Sequence, residues 1–234
     1  MSRRPVAMIT AASRGMGAAC ARTLAQNDYQ LAIMARHEDV FSLAEELNAW
    51  AMQGSVDNAQ DLQTFVEQTR DQFGRIDVVV NNTGHAPKGD LLALTDDQWE
   101  AGFDLLLMNV IRMSRLVTPI MQQQGTGSIV NISTFGAVEP SLTYPISSTI
   151  RASLGAFARL FSQRYAAQGL RMNNVMPGLI DTYPADEAAR AAIPAGRLGT
   201  ASEVAQLVAY LASEKARYIT GQSWLIDGGL VRGL

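Results

Sequence analysis

The segment Thr10-Ala11-Ala12-Ser13-Arg14-Gly15-Met16-Gly17 lies between a short apolar run and a helical pattern. Glycines where a strand turns into a helix let the backbone approach a pyrophosphate, and the free N–H groups and dipole of the helix N-terminus favour its negative charge. Two glycines on their own would fit a tight turn equally well, so it is their position that points to phosphate. His85 has a side chain that titrates near neutral pH and could handle a proton. Asp186 and Glu187 are carboxylates, but they sit where a helix would start and fit that role better than acid catalysis. There is no His/Cys cluster at metal-ligand spacing and no Gly-x-Ser-x-Gly, which argues against metal hydrolysis and serine-hydrolase chemistry. The single Cys20 falls in a helical pattern and reads as a small core residue.

Elements that could hold these groups follow from periodicity. Apolar runs at 6–11, 30–35, 76–81, 128–132, 171–176 and 223–226, with a weaker one at 51–56, have the length of buried strands. Helical patterns separate them at 16–26, 59–73, 96–123, 146–168 and 201–213. Continuously apolar strands alternating with helices imply a parallel sheet covered on both faces, so the expected fold is α/β, doubly wound and Rossmann-like, with about seven strands. Thr95 and Gln98 spell a capping box, and Ser202 is a candidate cap for the last helix. No linker or repeat divides the 234 residues, so one domain over 1–234 is expected. With 47% hydrophobic and 18% charged residues, disorder and coiled coil are excluded. A formal charge of −3 offers no footprint for nucleic acid or an anionic membrane. The apolar run after Ser2-Arg3-Arg4 reaches only Ile9, too short for an export signal, and no stretch approaches the roughly 18 to 20 residues of a spanning helix. A soluble protein of the reducing cytoplasm is the expectation.

Further segments, taken in order, make the chain resemble the short-chain dehydrogenase/reductase family over nearly its whole length. The glycine segment is similar to the family's TGxxxGxG, with Ala11 in place of the first glycine, and Asn81-Asn82-Thr83-Gly84 resembles its NNAG. Residues 127–133 read GSIVNIS, 174–182 read NVMPGLIDT, and 218–222 with 226–229 match its last strand region. The resemblance implies a nicotinamide dinucleotide bound by Thr10, Ser13, Arg14, Gly15, Met16 and Gly17, by Ser55 and Val56, by Asn82, Thr83 and Gly84, and by Pro177, Gly178, Ile180 and Thr182. Cations near the adenosine ribose favour NADP(H) over NAD, and the second strand ends in Ala35-Arg36, with Arg14 as a second cation, where an acid would favour NAD.

The resemblance also exposes a departure. The family combines a serine, a tyrosine thirteen residues later and a lysine four residues after that; the tyrosine moves a proton, while the lysine holds the ribose and assists the tyrosine by its charge. Arg151-Ala-Ser-Leu-Gly-Ala-Phe aligns with the segment starting at the lysine, so the three positions hold Thr134, Ser147 and Arg151, beside a helical Asn109. Thr134 keeps a hydroxyl and Arg151 a cation, but Ser147 is an aliphatic alcohol with neither the acidity nor the reach of phenol. Tyr144 stands three residues before Ser147 and would share its side of a helix, although Pro145 biases Tyr144 toward an extended backbone and leaves its direction open. Tyr144, His85 or water are the candidate proton donors, and an imine, quinone or conjugated double bond would need little acid help.

The expected function is thus an NADP(H)-dependent oxidoreductase acting on a small organic carbonyl, imine or activated double bond. A lid around 183–197, with a helix over 185–192, would cover the substrate. The alternative is a nucleotide-binding member without redox turnover. The resemblance implies a homo-oligomer, dimer or tetramer, and no metal is expected.

Overall fold

The computed structural model describes residues 4–182, 184 and 187–233. Strands β1 (Val6–Thr10), β2 (Gln30–Ala35), β3 (Trp50–Gln53), β4 (Val78–Asn81), β5 (Gly127–Ile132), β6 (Leu170–Pro177) and β7 (Ser223–Ile226) form one sheet in the order β3-β2-β1-β4-β5-β6-β7. Every pairing is parallel. The helices are α1 (Gly15–Gln26), α2 (Asp39–Leu47), α3 (Ala59–Phe73), α4 (Asp96–Phe103), α5 (Asn109–Gln124), α6 (Pro145–Tyr165), α7 (Glu187–Ala191) and α8 (Ala201–Ala212). The central strands are mostly apolar because both faces are covered. Ala7 and Ile9 of β1 point to a layer made by α1, α2 and α8, whereas Met8 between them packs with α3, α5 and α6. Strand order reverses between β1 and β4, which opens a crevice beyond the carboxyl ends of the strands.

Several boundaries differ from the periodicity. The third strand covers Trp50–Gln53 rather than 51–56, and leaves Ser55 and Val56 in the loop beyond it. Helix α2 was not anticipated, since its nine residues supply only about two and a half turns of pattern and only Val40, Leu43 and Ala44 are buried. The expected helix 96–123 is broken by a π-helical turn, Asp104–Met108, between α4 and α5. Such a turn adds a residue and shifts the phase of the helix beyond it. Helix α8 is capped by Thr200, not Ser202: the Thr200 side chain accepts from the Glu203 backbone, and Glu203 answers in a capping box. Hydrogen bonds from Arg197 and Thr200 hold the Glu203 carboxyl down at about 2. The Thr95–Gln98 box at α4 is present as expected. The described part of the lid carries α7 from Glu187, while Tyr183, Ala185 and Asp186 lie outside the described residues.

An amide ladder crosses the sheet beneath the crevice. Asn81 Nδ2 donates to Asn131 Oδ1 at 2.8 Å, and Asn131 Nδ2 donates to Asn174 Oδ1 at 2.8 Å. Asn174 Nδ2 then donates to the Leu154 carbonyl of α6 at 3.1 Å. The three residues are register partners in β4, β5 and β6, so a slip of either pairing would leave buried amides unpaired, at a cost of about 1–3 kcal/mol each.

Candidate active site

A cleft of about 720 Å³ lies at the carboxyl ends of the strands. Its first wall is the turn from β1 into α1. Thr10 Oγ1 donates to the Asn82 carbonyl at 2.7 Å and accepts from the Asn82 N–H at 3.0 Å, while Asn82 Nδ2 donates to the Ala11 carbonyl at 3.0 Å. These bonds tie the end of β1 to the segment after β4 and fix the turn from behind. Gly17 is demanded by the same contact: a Cβ there would lie 2.3 Å from the Ala11 oxygen and 2.7 Å from Asn82 Nδ2. Gly15 has φ +55° and faces the cleft, where its backbone can approach a ligand. Ala11 itself sits at φ +47°, a left-handed position that glycine occupies without penalty.

Two cations border this end. Arg36 follows β2, is exposed, and lies across the cleft, with its Nη2 3.8 Å from where a side-chain carbon at Gly84 would stand. Arg14 is exposed too, but it is tied to Asp39 at 2.8 Å. Burial acts to raise the Asp39 carboxyl, yet its bonding to Arg14 outweighs this and holds it below the usual range. Arg36 is therefore the better placed of the two to meet a further anion.

The opposite wall is built by the end of β5 and the start of α6. Arg151 is 8% exposed and donates through Nη1 to the Ile132 carbonyl at 2.6 Å. Burial lowers its pKa to about 10, which still leaves the guanidinium charged at neutral pH, and among the described residues it forms no ion pair. Thr134 Oγ1 accepts from the Gly136 N–H at 3.3 Å, leaving its own proton available to a ligand. Ser147 and Tyr144 share this wall. Tyr144 is the N-cap of α6, at φ −133° and ψ 55°, so the helix begins at Pro145 and the phenol is set at its mouth rather than stacked on its first turn. Lys88, from the loop after β4, donates to Tyr144 Oη at 3.4 Å and lies 4.6 Å from the ring centre. His85 lines the cleft as well; burial first, then the charges of Arg151 and Lys88, push its pKa below the ordinary value. Its imidazole is consequently neutral at pH 7.

Every residue marked from the sequence for cofactor or chemistry lines the cleft except Thr10, Gly17 and Asn109. Thr10 and Gly17 act one layer behind, by holding the turn. Asn109 is 5% exposed, stands behind the cleft lining, and donates its amide to the Leu105 carbonyl inside the π turn. Sequence reasoning missed Lys88, Ser133, Ser141 and Ser148. Lys88 had no local signal, since its partner is 56 residues away. Ser133 was visible only as part of a family motif, whereas Thr83 was marked for the cofactor, and both hydroxyl oxygens are buried without a protein partner beside the cleft. Buried hydroxyls of this kind call for a polar ligand. Together with the Gly15 turn and the charged Arg151, they suit a dinucleotide laid from Arg36 to Thr134. Among the described residues no group of His, Cys, Asp and Glu could hold a metal, and no helix is long and apolar enough to cross a membrane.

Comparison with known proteins agrees with this geometry. A family profile described as enoyl-(acyl carrier protein) reductase matches residues 10–231. The chain is 31% identical over 235 residues to the 3-oxoacyl-[acyl-carrier-protein] reductase of Salmonella typhimurium, covering 96% of each chain. It is 31% identical over 240 residues to the Staphylococcus aureus enzyme of the same name, covering 96% of this chain and 97% of that one. A solved NADPH-dependent reductase involved in bacilysin biosynthesis superposes with a TM-score of 0.94 at 26% identity, over 99% of this chain and 100% of that one. Matched from end to end in sequence and in the course of its sheet, the chain belongs to the short-chain dehydrogenase/reductase family.

Proposed function

We propose that the protein is an NADP(H)-dependent reductase of a small organic carbonyl, imine or activated double bond, with Tyr144 as the proton donor. The observation that carries this is the sharing of one cleft wall by Tyr144, Ser147 and Arg151, opposite the glycine turn. Arg151 holds the nicotinamide ribose through N–H groups other than the one bonded to Ile132. The nicotinamide, when bound, supplies the hydride. Thr134 donates to the substrate oxygen and polarises it, and Ser147 leaves room where a phenol would otherwise stand. Tyr144 is favoured over His85 because a neutral imidazole with a lowered pKa is a poor acid at pH 7. The solved relative is NADPH-dependent, and Arg36 across the cleft supports the same cofactor here. A reducing cytoplasm and a homo-oligomer belong to the same proposal; Phe103 and Leu160, exposed on α4 and α6, are apolar surface that association would cover.

The test is NADPH oxidation with ethyl acetoacetate, a cyclic imine and 2-cyclohexenone. Steady turnover of at least one is expected, and Tyr144→Phe should lower kcat on the keto ester about 100-fold, the usual scale of a lost general acid. Stoichiometric NADPH binding with no turnover of any of the three would instead favour a binding protein.

A further inference from the structure

Reduction of a carbonyl leaves the proton donor as a phenolate, and a phenolate in a partly apolar cleft needs a positive partner. Among the described residues Arg151 bonds the Ile132 carbonyl and not Tyr144, and its remaining N–H groups are assigned to the ribose. Lys88 is within reach: its Nζ is 3.4 Å from Tyr144 Oη and stands above the same ring at 4.6 Å from its centre. One ammonium thus meets both the face and the oxygen of a single phenol, a pose that restricts the ring's rotation and keeps the charge beside the departing proton. The two residues come from different elements, the loop after β4 and the cap of α6.

Resting on the assignment of Tyr144 as donor, we infer that Lys88 is its positioning residue, and that Lys88 and Tyr144 form an ammonium–phenol pair serving proton transfer. Hydride joins the carbonyl carbon and opens the C=O π bond; the oxygen takes the Tyr144 proton, and one NADPH is oxidised for each alcohol formed. The phenolate left behind is held against Lys88 Nζ until water returns a proton to it.

Two measurements test the pair. In the protein without nucleotide, a crystal structure of Lys88→Met should show the Tyr144 ring displaced from its place at the cap of α6, and one of Lys88→Arg should show it restored. In turnover of ethyl acetoacetate, Lys88→Met should lower kcat about tenfold with KM and the Kd for NADPH within twofold of wild type, and Lys88→Arg should regain most of the loss. An undisplaced Tyr144 ring and wild-type kcat in Lys88→Met would overturn the pair while leaving the donor in place, provided Tyr144→Phe is still slow. A Tyr144→Phe variant with wild-type kcat would overturn the donor and the pair with it, as would a wild-type protein that binds NADPH and leaves the keto ester untouched. Loss of NADPH binding or of thermal stability in Lys88→Met, without rescue by arginine, would assign Lys88 a structural role and overturn its part in proton transfer.

Discussion

The two ends of the cleft are specified by different kinds of interaction. At the glycine turn the determinants converge on the backbone: the Thr10 hydroxyl bonds both main-chain groups of Asn82, the Asn82 amide bonds the Ala11 carbonyl, Gly17 leaves space for that carbonyl, and Gly15 adopts a left-handed φ. At the wall formed by Thr134, Tyr144, Ser147 and Arg151 the determinants are side chains, and one of them finds its partner in a loop 56 residues away. Backbone constraints tolerate few residue types and therefore leave a sequence signature. Side-chain constraints can be met by several types from several elements, and this is the end where the chain departs from its family's usual pattern.

The sharpest way to break this contrast is at Gly17. A methyl group in Gly17→Ala would meet the Ala11 oxygen at 2.3 Å, and neither that carbonyl nor Asn82 can yield without losing the bond between β1 and β4. Overpacking of this kind costs about 1–3 kcal/mol, and because the strain falls on the turn itself, NADPH affinity should drop roughly 100-fold. Fluorescence titration with NADPH measures it. Unchanged affinity would show that the turn is not held from behind as described.

Arg36 offers a smaller effect of a more selective kind. Arg36→Ala removes the exposed cation beside Gly84, so the Kd for NADPH should rise about tenfold while that for NADH stays within twofold. The same substitution at Arg14 should do less, since its charge is already shared with Asp39. Equal losses for both nucleotides in Arg36→Ala would assign Arg36 to the shared part of the dinucleotide and leave its phosphate selectivity without support.

The legibility of the sequence follows the same division. The parallel sheet and its order of elements could be read because strands buried on both faces carry runs of apolar residues broken only by the few polar groups that find partners inside, and α3 was bounded as it stands because Asn58 caps it and Gly74 ends it. Helix α2 escaped because its apolar face is only three residues wide. Asn109 was marked from the family resemblance and stands behind the cleft lining; the π turn before it, which a pattern read at constant period does not reveal, is where its amide finds a partner. The direction of Tyr144 was undecidable beside Pro145, and Lys88 was invisible, for one physical reason: where a loop side chain goes is decided by the element it packs against, which no local pattern encodes.

Ala11 gives the smallest effect and the finest test of the backbone end. It is the one residue of the glycine turn where this chain carries a methyl group at positive φ, +47°, a conformation that costs an L-residue about 1–2 kcal/mol. Ala11→Gly relieves that strain, but it also frees the unfolded chain, which costs about 0.4–1 kcal/mol in the opposite direction. Relief of strain outweighs the added chain entropy, so a net gain of about 0.5 kcal/mol is expected, seen as a rise of about 1–2 °C in Tm for a chain of this size. The Ala11 carbonyl, which accepts from Asn82, is unchanged by the substitution, so NADPH affinity should stay where it is. A fall in Tm would mean that the Ala11 methyl contributes packing worth more than its strain, and that the turn is fixed by side chains after all.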